Sequence, residues 1–475
     1  MEQIKNLSLL TALCENVNSA IPVHNPATGD ILGYVRSHSR QTIETVIEKA
    51  EISQKAWAKT TAKQRSEILM RWYHLLMDNQ EDLARIMTLE QGKPLAESRG
   101  EVAYGASFVQ WFAEEGKRAY GETIPTPLSD RRIMTITQPV GVAAAITPWN
   151  FPIAMITRKA APALAAGCSF IAKPAVQTPL SAYAVAELAR QAGLPDGLLA
   201  IVTSDDAVMV GELFCSSPKI NKISFTGSTN VGRILMRQSA ESVKRVSMEL
   251  GGNAPFIVFD DADIDLAVKG AIASKFRNAG QTCVCANRFY VHDAVYDEFV
   301  EKFTAEVASL RVGNGIEDGA SIGPLIDGNA KKKVQRLVDE ALAQGAKISI
   351  GGEELDGQFF APTVLTHVEH SMSIVQEEIF GPIAPVIRFH DDVSLIEMAN
   401  DTIYGLASYF YSKDINRIFA VAEALDYGMV GVNEGVISTE VAPFGGVKQS
   451  GIGREGARQG LDEYLNTKYV CLGGM

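Results

Sequence analysis

The chain has 475 residues, of which 46% are hydrophobic and 21% are charged, and its formal net charge at pH 7 is -12. One hydrophobic core rarely serves a chain of this length, so the sequence predicts a globular protein of two or three domains. The negative charge argues against nucleic acid or an anionic membrane as a partner.

Neither a targeting signal nor a metal-ligand pattern is apparent in the sequence. Residues 1–14 lack a basic start followed by an apolar block, and apolar stretches such as 161–172 are too short and interrupted to span a bilayer. Six cysteines are sparse for this length and suit a reducing cytoplasm better than a disulfide framework. The seven histidines are scattered, so we predict no metal site.

Predicted helices and strands alternate along most of the chain, which is typical of an α/β fold. Residues 42–57 and 62–90 are long, charged and amphipathic, and we expect them to be surface helices. From about residue 140 to 250 the pattern indicates a Rossmann-type nucleotide-binding sheet. Its strands are predicted at 140–146, 169–173, 199–202 and 222–225, with a helix at 181–192.

A second α/β series begins after Gly252. It has predicted strands at 254–258 and 288–291 and predicted helices at 263–277, 295–310 and 330–344. Two short β-prone segments, 131–138 and 466–472, are flanked by turn residues and are more typical of an exposed arm. Exposed strand edges need covering, so we expect the arm to mediate self-association.

Three segments of the first series follow predicted strands with residues suited to ligand binding. Asn150 stands between prolines that fix the backbone, and a rigid amide can donate a hydrogen bond to an oxyanion. Lys173 ends a strand, where open α/β sheets bind ligands, and Gly227-Ser228 opens a helix whose N-terminus favours phosphate. Taken singly, these segments are also explained by a turn, a solvated lysine and a helix cap, and the usual Gly-x-Gly-x-x-Gly motif is missing here.

Further along, a carboxylate and a thiol stand in unusual surroundings. Glu249 precedes Gly251-Gly252, and Cys283 follows Gly280-Gln281-Thr282, whereas structural cysteines normally lie among aliphatic residues. A thiol and a nearby carboxylate supply the nucleophile and the base of a covalent mechanism. Alone, each could be a buried structural residue.

In order and spacing, these segments resemble the aldehyde dehydrogenase superfamily over nearly the whole chain. The resemblance also includes Glu378-Ile379-Phe380 and Pro443-Phe444-Gly445-Gly446. It implies that Cys283 is the nucleophile, that Glu249 activates water and that Asn150 holds the oxyanion. It further implies a cofactor site made by Trp149, Lys173, Ala175, Val176, Gly227, Ser228, Leu250, Glu378 and Phe380.

Closer similarity is to the succinate-semialdehyde dehydrogenase branch, through segments such as Met155-Ile156-Thr157-Arg158-Lys159 and Lys275-Phe276-Arg277-Asn278. In that branch the residues matching Arg158, Arg277 and Ser438 hold the distal carboxylate of the substrate, and arginine suits this role because it binds carboxylate bidentately. The branch is associated with the degradation of γ-aminobutyrate. The alternatives are glutarate semialdehyde, one methylene longer, a broader aldehyde range, or a non-catalytic structural relative, against which Cys283, Glu249 and Asn150 argue.

The resemblance implies oxidation through a thiohemiacetal and a thioester on the cysteine, with NAD(P)+ as oxidant. Relatives that use coenzyme A typically lack a glutamate at position 249. Val176 stands where many NAD-preferring relatives have glutamate, so we expect both cofactors to serve, with a lean to NADP. Cys285 is either a reversible disulfide partner of Cys283 or a passive packed residue.

The resemblance also predicts the domain organisation. Residues 1–119 and 139–250 are expected to form the nucleotide-binding domain, and 251–440 the catalytic domain. Residues 120–138 and 457–475 are expected to form a small β oligomerisation arm of a homodimer or homotetramer.

Overall fold

The computed structural model describes residues 3–15 and 20–474. Its N-terminal part is a small antiparallel sheet, in the order β1-β3-β2, followed by four helices. These elements are β1 Leu13–Cys14, β2 Ala20–His24, β3 Ile31–Arg36, α1 Arg40–Trp57, α2 Ala62–Asp78, α3 Gln80–Gln91 and α4 Leu95–Glu115.

The segment 62–90 forms two helices, and the prediction of surface helices is wrong for the second. Asn79 lies between α2 and α3 with φ of -103°, and its side chain donates a hydrogen bond to the carbonyl of Leu75 at 2.8 Å. Helix α3 is packed into the core, where Leu83 and Met87 have no exposed surface. Its charged residues misled the prediction because several of them are buried and hydrogen-bonded to other elements, as Glu90 is.

The next part of the chain contains the predicted nucleotide-binding sheet. Strands β6 to β10 are parallel, in the order β10-β9-β6-β7-β8. The elements are β4 Thr123–Ile124, β5 Arg131–Pro139, β6 Val142–Ile146, α5 Ala154–Ala166, β7 Ser169–Lys173, α6 Pro179–Gln191, β8 Leu199–Ile201, α7 Ala207–Ser216, β9 Ile220–Thr226, α8 Thr229–Ala240 and β10 Arg245–Glu249. Helices α1 and α7 cover one face of this sheet, and α2 to α6 pack on the other.

The second series forms a larger sheet, in the order β13-β14-β15-β12-β11-β16-β17, parallel except for β13. Apolar clusters lie on both of its faces. The elements are β11 Ala254–Val258, α9 Ile264–Phe276, β12 Ala286–His292, α10 Tyr296–Ala308, α11 Gly328–Ala343, β13 Lys347–Ile350, β14 Thr363–Val368, α12 Ser373–Gln376, β15 Ile383–Phe389, α13 Asp392–Asn400, β16 Ala407–Tyr411, α14 Ile415–Ala424 and β17 Met429–Val432.

The C-terminal part returns to the first half of the molecule. Strand β18 Gly451–Ile452 pairs antiparallel with β10, helix α15 Ala457–Asp462 contacts α4 and α5, and β19 Leu465–Gly473 pairs with β5 along its whole length. With β4 these strands form a separate three-stranded sheet. The predicted α/β fold with a nucleotide-type sheet is therefore confirmed, and no helix among residues 3–15 and 20–474 is long and apolar enough to cross a membrane.

Candidate active site

A cavity of about 280 Å³ lies between the nucleotide-type sheet, which contains β6, and the larger sheet, which contains β11. It brings Cys283 together with seven of the other predicted site residues, namely Trp149, Asn150, Gly227, Ser228, Leu250, Glu378 and Phe380. Its remaining lining residues were not predicted and are Pro148, Thr226, Gly251, Ala330 and Lys333. In the described part of the chain, no group of three His, Cys, Asp or Glu side chains is arranged to hold a metal ion.

Cys283 stands in a backbone segment with an uncommon conformation. Between α9 and β12, Asn278 and Ala279 have φ of 53° and 54°, and Gly280 has φ of 75°. A Cβ atom at Gly280 would lie 2.2 Å from the carbonyl oxygen of Gly381, so only glycine fits. Such strain persists where the surroundings fix it, and it is concentrated at functional sites.

Hydrogen bonds from three elements fix this segment. The Asn278 side chain accepts from Nε2 of Gln91 at 2.9 Å and donates to the carbonyl of Asn150 at 3.0 Å. The Asn278 backbone N–H donates to the partly buried carboxylate of Glu97 at 2.7 Å. The sulfur of Cys283 is thereby held at the cavity on a rigid support.

The thiol of Cys283 is neutral at pH 7 in this structure. Burial raises its pKa to about 12, although the positive charge of Arg158 opposes the rise. The residue itself is only half-buried, so the sulfur is open to the cavity. A base must therefore remove its proton before it can act as a nucleophile.

Asn150 is held by its backbone and side chain together. Its carbonyl accepts from Nζ of Lys93 at 2.6 Å, and Lys93 in turn is paired with the buried carboxylate of Glu101. One side-chain Nδ2 hydrogen is donated to the carbonyl of Gln281 at 3.0 Å. An amide nitrogen has two hydrogens, which leaves the second available to an oxyanion.

Glu249 ends β10, and its two carboxylate oxygens have no hydrogen-bond partner among the described residues. Burial raises the pKa of this carboxyl well above its usual range, and the negative charge of Glu455 raises it further. A carboxyl group with a raised pKa is suited to exchange protons near neutral pH.

The predicted cofactor residues divide into two groups. Trp149 and Phe380 pack edge to face with ring centroids 5.6 Å apart, and Glu378 accepts from the backbone N–H of Gly252 at 3.1 Å, all within the cavity. Lys173 ends β7 and Ala175 and Val176 follow it, and none of the three lines this cavity. Val176 lines a separate cavity of about 430 Å³.

Lys173 is nevertheless poised for a ligand. Its ammonium group is buried and donates to the carbonyl of Pro174 at 3.1 Å, with no carboxylate paired to it among the described residues. Burial lowers its pKa to about 8. A buried cation without a counter-charge is an energetically costly arrangement that an anion can relieve.

The two predicted carboxylate-binding arginines differ in their surroundings. Arg277 is half-buried, stacks 4.8 Å from the ring of Phe151, and forms no ion pair among the described residues. Arg158 is fully buried and is paired with Glu455. Glu455 comes from the C-terminal part and also pairs with Lys159, so the structure adds an ion-pair partner to Arg158, and its role toward the substrate stays a prediction.

Ser438 and Cys285 are the remaining predicted site residues, and both follow Cys283 in the sequence. Ser438 is half-buried in the loop that follows β17. Cys285 is buried, and its sulfur contacts the backbone carbonyls of Ser274 and Lys275, both at 3.0 Å. All described cysteines are free thiols.

Several polar residues of the site were missed. Glu455 lies in Gly453-Arg454-Glu455-Gly456, a further segment that resembles the branch described above, so its position was a usable signal. Lys159 also pairs with Glu455, at 2.7 Å, and follows Arg158 directly. Lys93 and Lys333 carry no comparable signal, because only the fold brings their ammonium groups to the carbonyls of Asn150 and Glu378.

The chain is similar to known proteins over nearly its whole length. A model of the aldehyde dehydrogenase family matches residues 14–470. The glutarate-semialdehyde dehydrogenase of Pseudomonas putida is 58% identical over 95% of this chain and 94% of its own. The NADP(+) succinate-semialdehyde dehydrogenase of Escherichia coli K12 is 56% identical over 96% and 95%. The solved structure of an aldehyde dehydrogenase from Brucella melitensis biovar abortus 2308 is 55% identical, covers 100% of both chains and superposes with a TM-score of 0.98.

Proposed function

This chain belongs to the aldehyde dehydrogenase family, and we propose that it oxidises succinate semialdehyde to succinate with NADP+ or NAD+ as the oxidant. The observation that carries the proposal is the cavity in which Cys283, Asn150 and the cofactor-type residues meet. The unpaired guanidinium of Arg277, stacked on Phe151, supports an aldehyde that carries a second, anionic end.

In the proposed mechanism, Cys283 first loses its proton and attacks the aldehyde carbon. Glu249 does not line the cavity but directly precedes Leu250, which does, and its ionised form is the proposed base, because its raised pKa makes it a stronger proton acceptor than an ordinary carboxylate. The second Nδ2 hydrogen of Asn150 then stabilises the oxyanion of the tetrahedral adduct. This interaction strengthens toward the transition state, which is where it lowers the barrier.

A nicotinamide dinucleotide, held by the cofactor residues, would supply the hydride acceptor for oxidation of the adduct to a thioester. The proton that Glu249 took from Cys283 passes to solvent. Glu249, ionised again, then removes a proton from water, which attacks the thioester carbon. The sulfur of Cys283 leaves as a thiolate, and the carboxylic acid is released.

The cofactor proposal rests on the chemistry of the lining residues. The buried ammonium of Lys173 suits ribose hydroxyls or a 2′-phosphate, and helix α8, capped by Ser228, presents its N-terminal donors beside Gly227. No carboxylate stands at Val176 to repel a 2′-phosphate. Together with the NADP(+) relative, these features support NADP+ as the preferred cofactor, with NAD+ also accepted.

Glutarate semialdehyde is the second candidate, since the relative named for it is 58% identical, compared with 56% for the succinate-semialdehyde dehydrogenase. One extra methylene changes binding by about 1–3 kcal/mol, so both aldehydes are expected to react. A ratio of kcat/KM below one for succinate over glutarate semialdehyde would make the longer aldehyde the proper substrate.

The test is the rate of NADPH formation with succinate semialdehyde, compared with butanal, which has the same chain length and no carboxylate. We expect a clear preference for the carboxylated aldehyde and no activity in Cys283→Ala. Asn150→Ala is expected to lower kcat on the order of 10²-fold. Equal kcat/KM for succinate semialdehyde and butanal would refute the substrate proposal while leaving the family chemistry intact.

The remaining proposals concern assembly and setting. We propose that the sheet of β4, β5 and β19 mediates a homodimer or homotetramer, a proposal supported by exposed apolar side chains at Ile136, Tyr469 and Leu472. Action in the cytoplasm, within γ-aminobutyrate degradation, is proposed from the cysteine content and the substrate.

A further inference from the structure

A buried hydroxyl lies against one of the two predicted substrate arginines. The hydroxyl of Tyr104, on α4, contacts the guanidinium of Arg158, on α5, and accepts in that contact because a guanidinium can only donate. The hydroxyl proton has no acceptor among the described residues. Buried donors in folded proteins are nearly always hydrogen-bonded, so this one indicates a ligand that completes it.

Close packing of α4 on α5 brings the two groups together. A Cβ atom at Gly105 would lie 2.9 Å from Cγ2 of Ile153 and 3.1 Å from Oγ1 of Thr157, so the helices touch where this glycine lies. The neighbouring ring of Tyr104 packs against the apolar cluster of Phe151, Ala154 and Met155. Arg158 lies one helical turn beyond Ala154 on the same face of α5.

The positive charges of both predicted substrate arginines lower the pKa of this hydroxyl. Burial raises the pKa of Tyr104, while the positive charge of Arg158 and then that of Arg277 oppose the rise. The hydroxyl is therefore protonated at neutral pH and is flanked by two guanidinium groups.

The chemistry of the missing partner follows from what these groups can do. A guanidinium only donates hydrogen bonds, and a tyrosine hydroxyl held next to it has its proton left to donate. The Nε atom of Arg158 faces Glu455 and the guanidinium also contacts the Tyr104 hydroxyl, but Nη2 carries two hydrogens and can donate one of them to a ligand. The missing group must be an acceptor, and between two cations a carboxylate is the natural one.

We propose that Tyr104 is a substrate-binding residue whose hydroxyl donates a hydrogen bond to the distal carboxylate of the aldehyde. Arg158 donates to the same carboxylate through Nη2, and Arg277 supplies the second cation at the half-buried side. This inference rests on the proposed function, because it assigns the group that reads the anionic end of that substrate.

The test is Tyr104→Phe, which removes only the oxygen. We expect KM for succinate semialdehyde to rise about tenfold, as for loss of a hydrogen bond to a charged group, with kcat and the kinetics of butanal within twofold of the unmodified enzyme. Tyr183→Phe is the matched control, since its hydroxyl is partly buried, is paired with Thr203 at 2.8 Å and lies outside the cavity.

Thermal unfolding supplies a second readout that a structural role would not reproduce. The hydroxyl proton has no acceptor among the described residues, so Tyr104→Phe should change Tm little, yet the rise in Tm produced by saturating succinate should shrink. Tyr104→Met, measured in the same way, tests the site if the phenylalanine variant folds poorly.

The outcomes are distinguishable. If the unmodified enzyme does not prefer succinate semialdehyde over butanal, the proposed function fails. If it does, but Tyr104→Phe leaves KM unchanged or raises KM for both aldehydes equally, the inference about Tyr104 is overturned and the proposed function stands.

Discussion

At the scale of single residues, the oxyanion amide of Asn150 depends on groups that never touch the substrate. Lys93 and Asn278 both donate to its backbone carbonyl, and Glu101 holds Lys93 by a buried ion pair. These contacts fix the direction of the side-chain amide. Loss of one of them would therefore displace the Nδ2 hydrogen of Asn150 that binds the oxyanion.

We therefore expect Lys93→Met to lower kcat about tenfold, less than Asn150→Ala, because the amide remains but its direction is no longer held. Steady-state kcat of the two single variants and the double variant checks this. If Lys93 acts only through Asn150, the double variant is no slower than Asn150→Ala. Lys244→Met, which removes a lysine that donates to the carbonyls of Ser217 and Ile220, is the control.

The raised pKa of Glu249 gives a second prediction. Its ionised form is the base, so the rate of thioester hydrolysis should increase as the pH rises through this pKa. Glu455→Gln removes a negative neighbour and leaves Arg158 and Lys159 positive, which lowers the pKa of Glu249 and shifts the ascending limb of kcat to lower pH.

The pH profile of kcat for Glu455→Gln measures that shift. Glu463→Gln is the control, because Glu463 pairs with Lys222 and lies outside the cavity. An ascending limb at the same pH in wild type and Glu455→Gln, or one displaced to higher pH, would contradict the assignment of Glu249 as the titrating base.

Site residues were predictable from the sequence where their neighbours in the chain are unusual for a buried core residue. Cys283 and Glu249 stand in polar or glycine-rich segments that a core residue would not need, so the sequence alone marks them. Lys93 lies in the connection between α3 and α4 and Tyr104 lies on α4, both without distinguishing neighbours, and only the packing of these helices against the site gives them a role. The pairing of Arg158 with Glu455 was equally invisible, since it joins residues nearly 300 positions apart.

At the scale of elements, the contact between α4 and α5 sets the position of Tyr104, Arg158 and the buried carboxylate of Glu101. Glu101, on α4, accepts hydrogen bonds from the backbone N–H groups of Ile153 and Ala154 at the start of α5. Because Gly105 leaves no room for a side chain, the two helices can move apart only at the expense of these bonds.

Gly105→Leu is therefore expected to destabilise the protein by about 1–3 kcal/mol or more, as overpacking does, and to raise KM for succinate semialdehyde. Gly100→Leu on the same helix is the matched control. That position is exposed, and a Cβ atom there would meet nothing within 4 Å, so a better helix former should be neutral or stabilising. Chemical denaturation of both variants checks the difference, and equal midpoints would contradict the packing argument.

At the scale of the whole molecule, the sheet of β4, β5 and β19 presents apolar side chains that the single chain leaves exposed. Tyr469 is 61% exposed. If this sheet is the association surface, Tyr469→Asp combined with Leu472→Asp should shift the protein to a smaller species, because the substitutions would bury charge at the interface.

Size-exclusion chromatography with light scattering measures the mass. Phe419→Asp is the control, since Phe419 on α14 is 62% exposed and lies away from this sheet. A mass unchanged by the double substitution, or reduced equally by the control, would remove β19 from the assembly surface.

The succession of elements was predictable from the sequence, whereas their arrangement was not. Periodicity located β7 and β11 to the residue, since both are short, buried and bounded by turns. The order of strands within each sheet depends on long-range pairing, which leaves no mark on local composition. Strand β18 is the clearest case, because two residues near the C-terminus complete the edge of a sheet built some two hundred residues earlier.

That pairing has a consequence for biosynthesis. While the chain emerges from the ribosome, the strand that ends in Glu249 cannot pair with Gly451 and Ile452 until these residues are synthesised. Arg158 likewise has no ion pair with Glu455 until then. A nascent chain with its thiol already exposed at Cys283 consequently lacks the finished pocket until translation is nearly over. Reactive aldehydes thus meet a competent enzyme only after the polypeptide is almost complete.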